Sequence, residues 1–185
     1  MTAPAISHPL PAGSTWEVDP THTTVTATVR HLGLSKVRVN FLTFSGTITI
    51  AADGTPSVTS QVDVTSIDSR NEQRDGHLKS GDFFDAENNP SATFVSTGVR
   101  PGKGENEYLV DGEFTIRGVK QAATLELEFL GVSPGMGAGE VAAFEATVNL
   151  NRKDFGVSFD GALADGAAVV SDKVVLTFEI EAVKQ

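Results

Sequence analysis

The stretch Thr23-Thr24-Val25-Thr26-Ala27-Thr28-Val29-Arg30-His31-Leu32 decides the fold class. Val25, Ala27, Val29 and His31 fall on one side of an extended chain and Thr24, Thr26, Thr28 and Arg30 on the other, a period of two that marks a strand with one apolar face. Its β-branched threonines and valines favour the pleated backbone for the same reason that they disfavour a helix: χ1 is restricted. Upstream, residues 14–19 begin a first strand with Trp16 and Val18 on one face. Downstream, residues 36–51 place Val37, Val39 and Phe41 on odd positions and then Leu42, Phe44, Ile48 and Ile50 on even ones. That slip of phase predicts a bulge, and Gly46 predicts a sharp bend of the kind a barrel needs.

The same reading places further strands over 57–67, 91–99, 107–117, 122–132, 141–151 and 173–183. One helical signal interrupts them. Ser69 followed three residues later by Glu72 reads as a capping box leading into a short amphipathic helix over 71–79. Asn89-Pro90 and the glycine-rich 133–139 segment are turn chemistry. Residues 154–172 read as a helical turn and a flap before the last strand. Several strands reach about ten residues or more, against roughly five or six in an ordinary sheet, and long tilted strands are what a closed barrel uses. The expected architecture is therefore all-β: an antiparallel up-and-down β-barrel spanning 14–185, preceded by a flexible arm over 1–13.

Composition narrows the function. The 185 residues include 24 Asp and Glu against 14 Lys and Arg, a net charge of −10, which repels nucleic acid. With no cysteine, thiolate chemistry is excluded. No His-Glu-x-x-His pair or Gly-x-Ser-x-Gly elbow occurs, and Gly135 and Gly137 are not placed for a dinucleotide loop. Neither a catalytic nor a metal-ligating set emerges. No signal-peptide pattern or membrane-spanning apolar run is present, so the expected compartment is the cytoplasm, with membrane contact at most transient.

Four dispersed motifs occur in order: Trp16-Glu-Val-Asp19 with His22 and His31; Arg74-Asp-Gly-His-Leu-Lys-Ser-Gly-Asp-Phe-Phe-Asp85 followed by Pro90 and Ala92-Thr-Phe94; Gly112-Glu-Phe-Thr-Ile-Arg-Gly118; and Asn151-Arg-Lys-Asp-Phe-Gly156. In these the chain resembles the YceI-like family of lipid-binding barrels, from Trp16 to the C-terminus. The resemblance implies an extended, lipocalin-like barrel whose pore holds a polyisoprenoid chain, either a polyprenyl phosphate or the tail of an isoprenoid quinone, with no obligatory cofactor. Ala27 stands where the family usually has Phe, and Val39 where Gly is common before Phe41; both substitutions bear on the bore of the pore.

The expected ligand-binding lining is Val25, Ala27, Val29, His31, Phe41, Phe44, Phe94, Phe114, Ile116, Leu127, Phe144, Val148 and Phe178, with Leu125 and Leu176 on the same faces. A solid core would show the same alternation. Small residues set among the aromatics, Ala27, Gly112 and Ala146, favour a cavity. Burial contributes about 0.8 kcal/mol per CH₂ relative to water, but a chain leaving a bilayer exchanges one apolar medium for another, so uptake is reversible, as a carrier requires. His31 at a strand end, and His77 with Arg70, Arg74 and Lys79, are candidates for a headgroup rim as well as for solvated or hydrogen-bonded surface. Asp82 and Asp85 fit turn and capping roles better than an acid/base pair. The competing functions are an enzyme acting on such a lipid through His31 or His77 with a carboxylate, and a stress-related interaction module; a homodimer is compatible with any of them.

Overall fold

The computed structural model describes residues 9–137 and 139–185. In chain order the elements are β1 (Ser14–Val18), β2 (Thr24–His31), β3 (Ser35–Phe41), β4 (Phe44–Ile50), β5 (Pro56–Asp63), β6 (Ile67–Asp68), α1 (Glu72–Lys79), β7 (Ser91–Pro101), β8 (Glu107–Ile116), β9 (Val119–Ser133), β10 (Val141–Asn151) and β11 (Lys173–Lys184). Every strand pairing is antiparallel, and the order β1-β4-β5-β7-β8-β9-β10-β11 closes through β1 on β11. Closure gives each of these eight strands a neighbour on both sides and leaves no strand as a full-length edge.

Two strands of this wall are broken rather than short. β11 pairs with β1 over 182–184 and with β2 over 175–179, so β1 and β2 are successive halves of one bent strand. β3 and β4 are likewise two halves of the next. Residues 36–51, read from sequence as a single slipped strand, part at Leu42 and Thr43, whose amides donate to Ser66 Oγ at 3.1 and 3.0 Å instead of to a strand. Leu42 consequently faces solvent at 62% exposure, although it shares its even position with Phe44, Ile48 and Ile50. Gly46 serves close packing more than bending: a Cβ there would lie 2.9 Å from Val18 Cγ2.

The expected strand over 57–67 ends at Asp63, whose carboxylate caps a 3-10 turn, Val64–Ser66, before the two-residue β6. β6 covers the free edge of β3 only at Asn40 and Phe41. Residues 35–39 of β3 therefore have no ladder partner on that side among the described pairings.

Helix α1 forms where the sequence placed it, with a different cap. Asn71 Oδ1 accepts from the Arg74 amide at 2.9 Å. Ser69 is buried and instead donates from its amide and hydroxyl to Asp75 Oδ1, because Arg70, at φ 63°, turns the chain between the two. No residue of α1 is buried; its apolar contribution is Leu78 alone, not a continuous stripe.

Bulges set the curvature of the wall. The β7–β8 register shifts between Ser96 and Gly98, and the β9–β10 register shifts opposite Ala143 and Phe144; each extra residue bends and coils its strand. At one end, the floor, Trp16, Leu10, Ile50, Ala142 and Ala182 pack into a core cluster with Trp16 fully buried. Trp16 Nε1 donates to Ser14 Oγ, which donates to the Pro11 carbonyl. Of the expected flexible arm, residues 1–8 lie outside the described residues, and Leu10 is 6% exposed. The opposite end carries α1, the β2–β3 hairpin, the β8–β9 turn and the flap between β10 and β11.

Candidate functional site

Within the wall lies an apolar lumen of two joined chambers. The larger, about 380 Å³, runs from the middle of the barrel towards the open end; the smaller, about 90 Å³, extends towards the floor. Val25, Ser60, Val62, Phe94, Phe114 and Phe178 border both and form the waist between them. These residues arrive there from β2, β5, β7, β8 and β11 because each strand turns alternate side chains inward. Phe94 and Phe114 stand opposite one another in register, with ring centroids 4.7 Å apart.

The lining anticipated from alternation distributes along this tube. Ala27, Val29, His31, Phe41, Ile116 and Leu176 border the larger chamber; Phe44, Leu125, Leu127 and Phe144 border the smaller; Val25, Phe94, Phe114 and Phe178 border both. Val148 borders neither. It is 4% exposed and packs in the core cluster with Phe155 and Val157, under the 3-10 turn Arg152–Phe155 that follows β10. Ala27 lies opposite both Val39 and Leu176 in register, so the two departures from the family pattern sit side by side on the wall of the larger chamber.

Much of the open end came from segments without periodicity. Leu78 of α1, Phe83 and Phe84 after it, and Phe159, Val169 and Val170 of the flap all line the larger chamber. Strand alternation could not reach them; the doubled Phe83-Phe84 within a polar segment was the available signal.

The open end is held together by arginines. Arg152, 6% exposed, donates from Nε to the Ser171 carbonyl, from Nη1 to the Val157 carbonyl and from Nη2 to the Val170 carbonyl and Asp172 Oδ1, at 2.8 to 3.4 Å. One buried guanidinium thus pins both ends of the flap, using the planar fork that lysine lacks. Lys153 Nζ reaches Asp160 at 2.9 Å and Asp172 at 3.3 Å; its hydrogen bond to Asp160 raises the Lys153 ammonium and holds the Asp160 carboxyl below the usual carboxylate range. Arg117, in the β8–β9 turn, donates from Nη1 to the carbonyls of Phe83 and Gly156, both at 2.8 Å, tying the segment after α1 to the flap.

Polar groups on the larger chamber are few: Ser60, Thr93, His31, Arg74, His77 and Arg152. Arg74 is occupied by Ser69, donating from Nε to its hydroxyl and from Nη2 to its carbonyl. His77 Nε2 lies 2.9 Å from Asp82 Oδ2, and its ring packs edge-on against Phe83 and Phe159 at 5.0 and 5.1 Å. His77 thus borders the cavity and has a carboxylate partner, the arrangement an acid/base histidine needs. His31 borders the chamber with its backbone bridged to Val170. His22 is elsewhere, in the turn after β1, with Nδ1 2.8 Å from Asp19 Oδ2 and 3.7 Å from Glu181 Oε2. Those two carboxylates raise the imidazole, and His22 lowers Asp19. Asp19, His22 and Glu181 are the one group among the described residues close enough to share a cation, and the His22 imidazole already pairs with both carboxylates.

A model of the YceI-like domain matches residues 16–182. The chain belongs to the YceI-like family. Curated relatives of this family member include a UPF0312 protein of Vibrio parahaemolyticus, 37% identical over 168 residues that cover 89% of this chain and 83% of the relative. Protein YceI of Escherichia coli is 34% identical over 169 residues, with the same coverage of each chain. Among solved structures, Burkholderia cenocepacia BcnA matches with a TM-score of 0.74 and 26% identity over 89% of this chain and 98% of its own. A polyisoprenoid binding domain from Saccharophagus degradans, implicated in plant cell wall breakdown, matches with a TM-score of 0.66 over 92% of this chain and 98% of its own; at 14% identity it shows the shared fold. Among the described residues no helix is long and apolar enough to cross a membrane.

Proposed function

We propose that this YceI-like protein is a non-catalytic carrier that holds one long isoprenoid-type lipid in its lumen, with the tail of a polyprenyl phosphate or an isoprenoid quinone as cargo. The single observation that carries this reading is the shape and chemistry of the cavity: two apolar chambers in line, joined at a waist of Val25, Val62, Phe94, Phe114 and Phe178. Such a tube suits a slender chain and not a compact polar substrate, and the larger chamber alone is within the roughly 300–1,000 Å³ range of small-molecule sites. The Saccharophagus degradans domain, named for polyisoprenoid binding, supports the same class of cargo. The residues proposed to contact it are those bordering the chambers, with His31, Arg74 and His77 at the end where a headgroup would lie.

Native mass spectrometry of the purified protein, followed by solvent extraction, tests the reading. The expected result is one isoprenoid chain per protein, released by solvent and restored by adding a long-chain isoprenoid alcohol or quinone. An empty protein that takes up neither compound overturns it. The His77–Asp82 pair favours a second reading, an enzyme acting on the lipid. Recovered cargo that stays chemically unchanged on prolonged incubation with the wild-type protein excludes that alternative.

A further inference from the structure

We infer that the β2–β3 hairpin is a membrane-docking element that seats the open end of the barrel on an anionic lipid surface. This rests in part on the carrier reading, which makes that end the place where cargo passes, but the charge and exposure of the hairpin stand on their own.

Between Asp19 and Asp53 the sequence contains no acidic residue, in a chain whose net charge is −10. Three of its cations lie in the hairpin within that stretch: Arg30 on β2, and Lys36 and Arg38 on β3. Inward positions are taken by Val29, His31, Val37 and Val39, which line the larger chamber, so alternation turns these cations to the outer face. Arg30 and Lys36 are direct cross-strand partners. Like charges placed opposite one another destabilise a sheet, and among the described residues neither Arg30, Lys36 nor Arg38 has a carboxylate within ion-pair distance. Two acids of the adjoining flap are committed elsewhere: Asp160 and Asp172 pair with Arg152 and Lys153. Asp165 accepts from the Ala167 amide and keeps its charge.

The hairpin tip is apolar where turn chemistry favours Asn, Asp or Gly. Leu32 and Gly33 both have positive φ, 55° and 68°, the backbone of a turn in which leucine at the first position is disfavoured. Leu32 is 36% and Leu34 76% exposed. The tip adjoins the opening directly: the Leu32 amide donates to the Val169 carbonyl, His31 bridges to Val170, and Val169 and Val170 line the larger chamber. The flap beside it presents Leu163, 40% exposed. Cations without a carboxylate partner, the Arg30 guanidinium donating to the Leu34 carbonyl, with leucines ahead of them fit the two layers of an anionic bilayer surface, phosphate headgroups over acyl chain.

Flotation of the full chain with vesicles of phosphatidylcholine, with and without about one-third phosphatidylglycerol, tests this. Binding is expected to the mixed vesicles and to weaken as salt rises from about 0.1 to about 1 M, where the Debye length falls from about 10 to about 3 Å. Lys36→Glu with Arg38→Glu is expected to reduce binding about tenfold or more at low salt. Leu32→Asn with Leu34→Ser, which relieves the turn without touching the lumen, is expected to reduce it about tenfold while preserving the thermal midpoint. Equal binding to both vesicle types, no binding, or full binding by the leucine variant overturns the inference. So does a concentration-dependent dimer abolished by Leu34→Ser in a protein that ignores vesicles, which would assign the tip to a second copy. Because flotation reads adhesion and extraction reads cargo, an empty lumen in a vesicle-binding protein removes the carrier reading alone.

Discussion

The ring of Phe94 lies where a side chain at Gly112 would have to be: a Cβ built on Gly112 falls 2.4 Å from Phe94 Cζ and 2.6 Å from the Val95 carbonyl oxygen. The two residues belong to neighbouring strands, β7 and β8, and the missing side chain lets the ring lie across the wall and form part of the waist. Gly112→Ala is expected to destabilise the fold by about 1–3 kcal/mol, the usual cost of overpacking, because backbone as well as ring must move. Urea unfolding measures this. An unchanged midpoint would mean the ring swings freely, and that the waist is not a fixed constriction.

Ala27 borders the larger chamber opposite Val39 and Leu176. Ala27→Phe puts an aromatic ring into that space and is expected to weaken retention of a long isoprenoid chain about tenfold or more, while shorter chains lose less; a single methylene more or less already gives about 10- to 200-fold discrimination in a fitted apolar site. Competition between isoprenoid alcohols of graded length, read by native mass spectrometry, checks it. Uniform loss across all lengths would point to general misfolding instead.

Arg152 satisfies three flap carbonyls and one carboxylate from a buried position. Arg152→Met leaves those acceptors unpaired at about 1–3 kcal/mol for each that stays buried. The expected outcome is a flap that opens: proteolytic nicking within 158–170 and faster amide exchange at Val169 and Ser171, with the floor around Trp16 unaffected. Arg152→Lys is expected to rescue only in part, since an ammonium cannot span the same fork.

The pair Asp19–His22 gives a pH signature of known sign. His22 is raised above 6.5 by Asp19 and then Glu181, so the stability it adds is fully present below about pH 6.5 and is lost as pH climbs through the raised value. Asp19 is lowered, and its contribution disappears only when pH falls below the ordinary carboxylate range. His22→Gln is therefore expected to lower the thermal midpoint at pH 6 and to leave it unchanged at pH 9. An equal loss at both values would assign His22 a role through hydrogen bonding alone. At the flap, the lowered Asp160 carboxyl keeps its link to Lys153 through mild acid, so that link is expected to fail only below about pH 4.

The barrel was legible because its walls obey one rule. A period of two across Val25 to His31, and again along β7 to β11, identified both the strands and the side of each that faces inward. Where a strand breaks that rule, parity no longer gives the face: Leu42 shares its even parity with Phe44, Ile48 and Ile50, but Ser66 captures its amide and it turns out. Ser69 and Glu72 imitate a capping box, but the cap is Asn71, since the positive φ of Arg70 could not be read from residue types alone. The open end was the least legible part. Phe83, Phe84 and Phe159 reach the lumen from turns and loops held by Arg117 and Arg152, and such placement depends on long-range hydrogen bonds to backbone carbonyls that no local pattern encodes. Val148 erred the other way, having the right parity but lying beneath the turn that follows β10.

The packed floor has a consequence for traffic. With Trp16, Leu10, Ile50, Ala142 and Ala182 filling that end, the tube has the form of a well: an occupant entering from the open end would depart the same way, and the end that went in first would come out last. A flexible chain would enter tail foremost and stop at the bottom, so the depth of the well acts as a ruler, and whatever exceeds it is left standing outside at the rim.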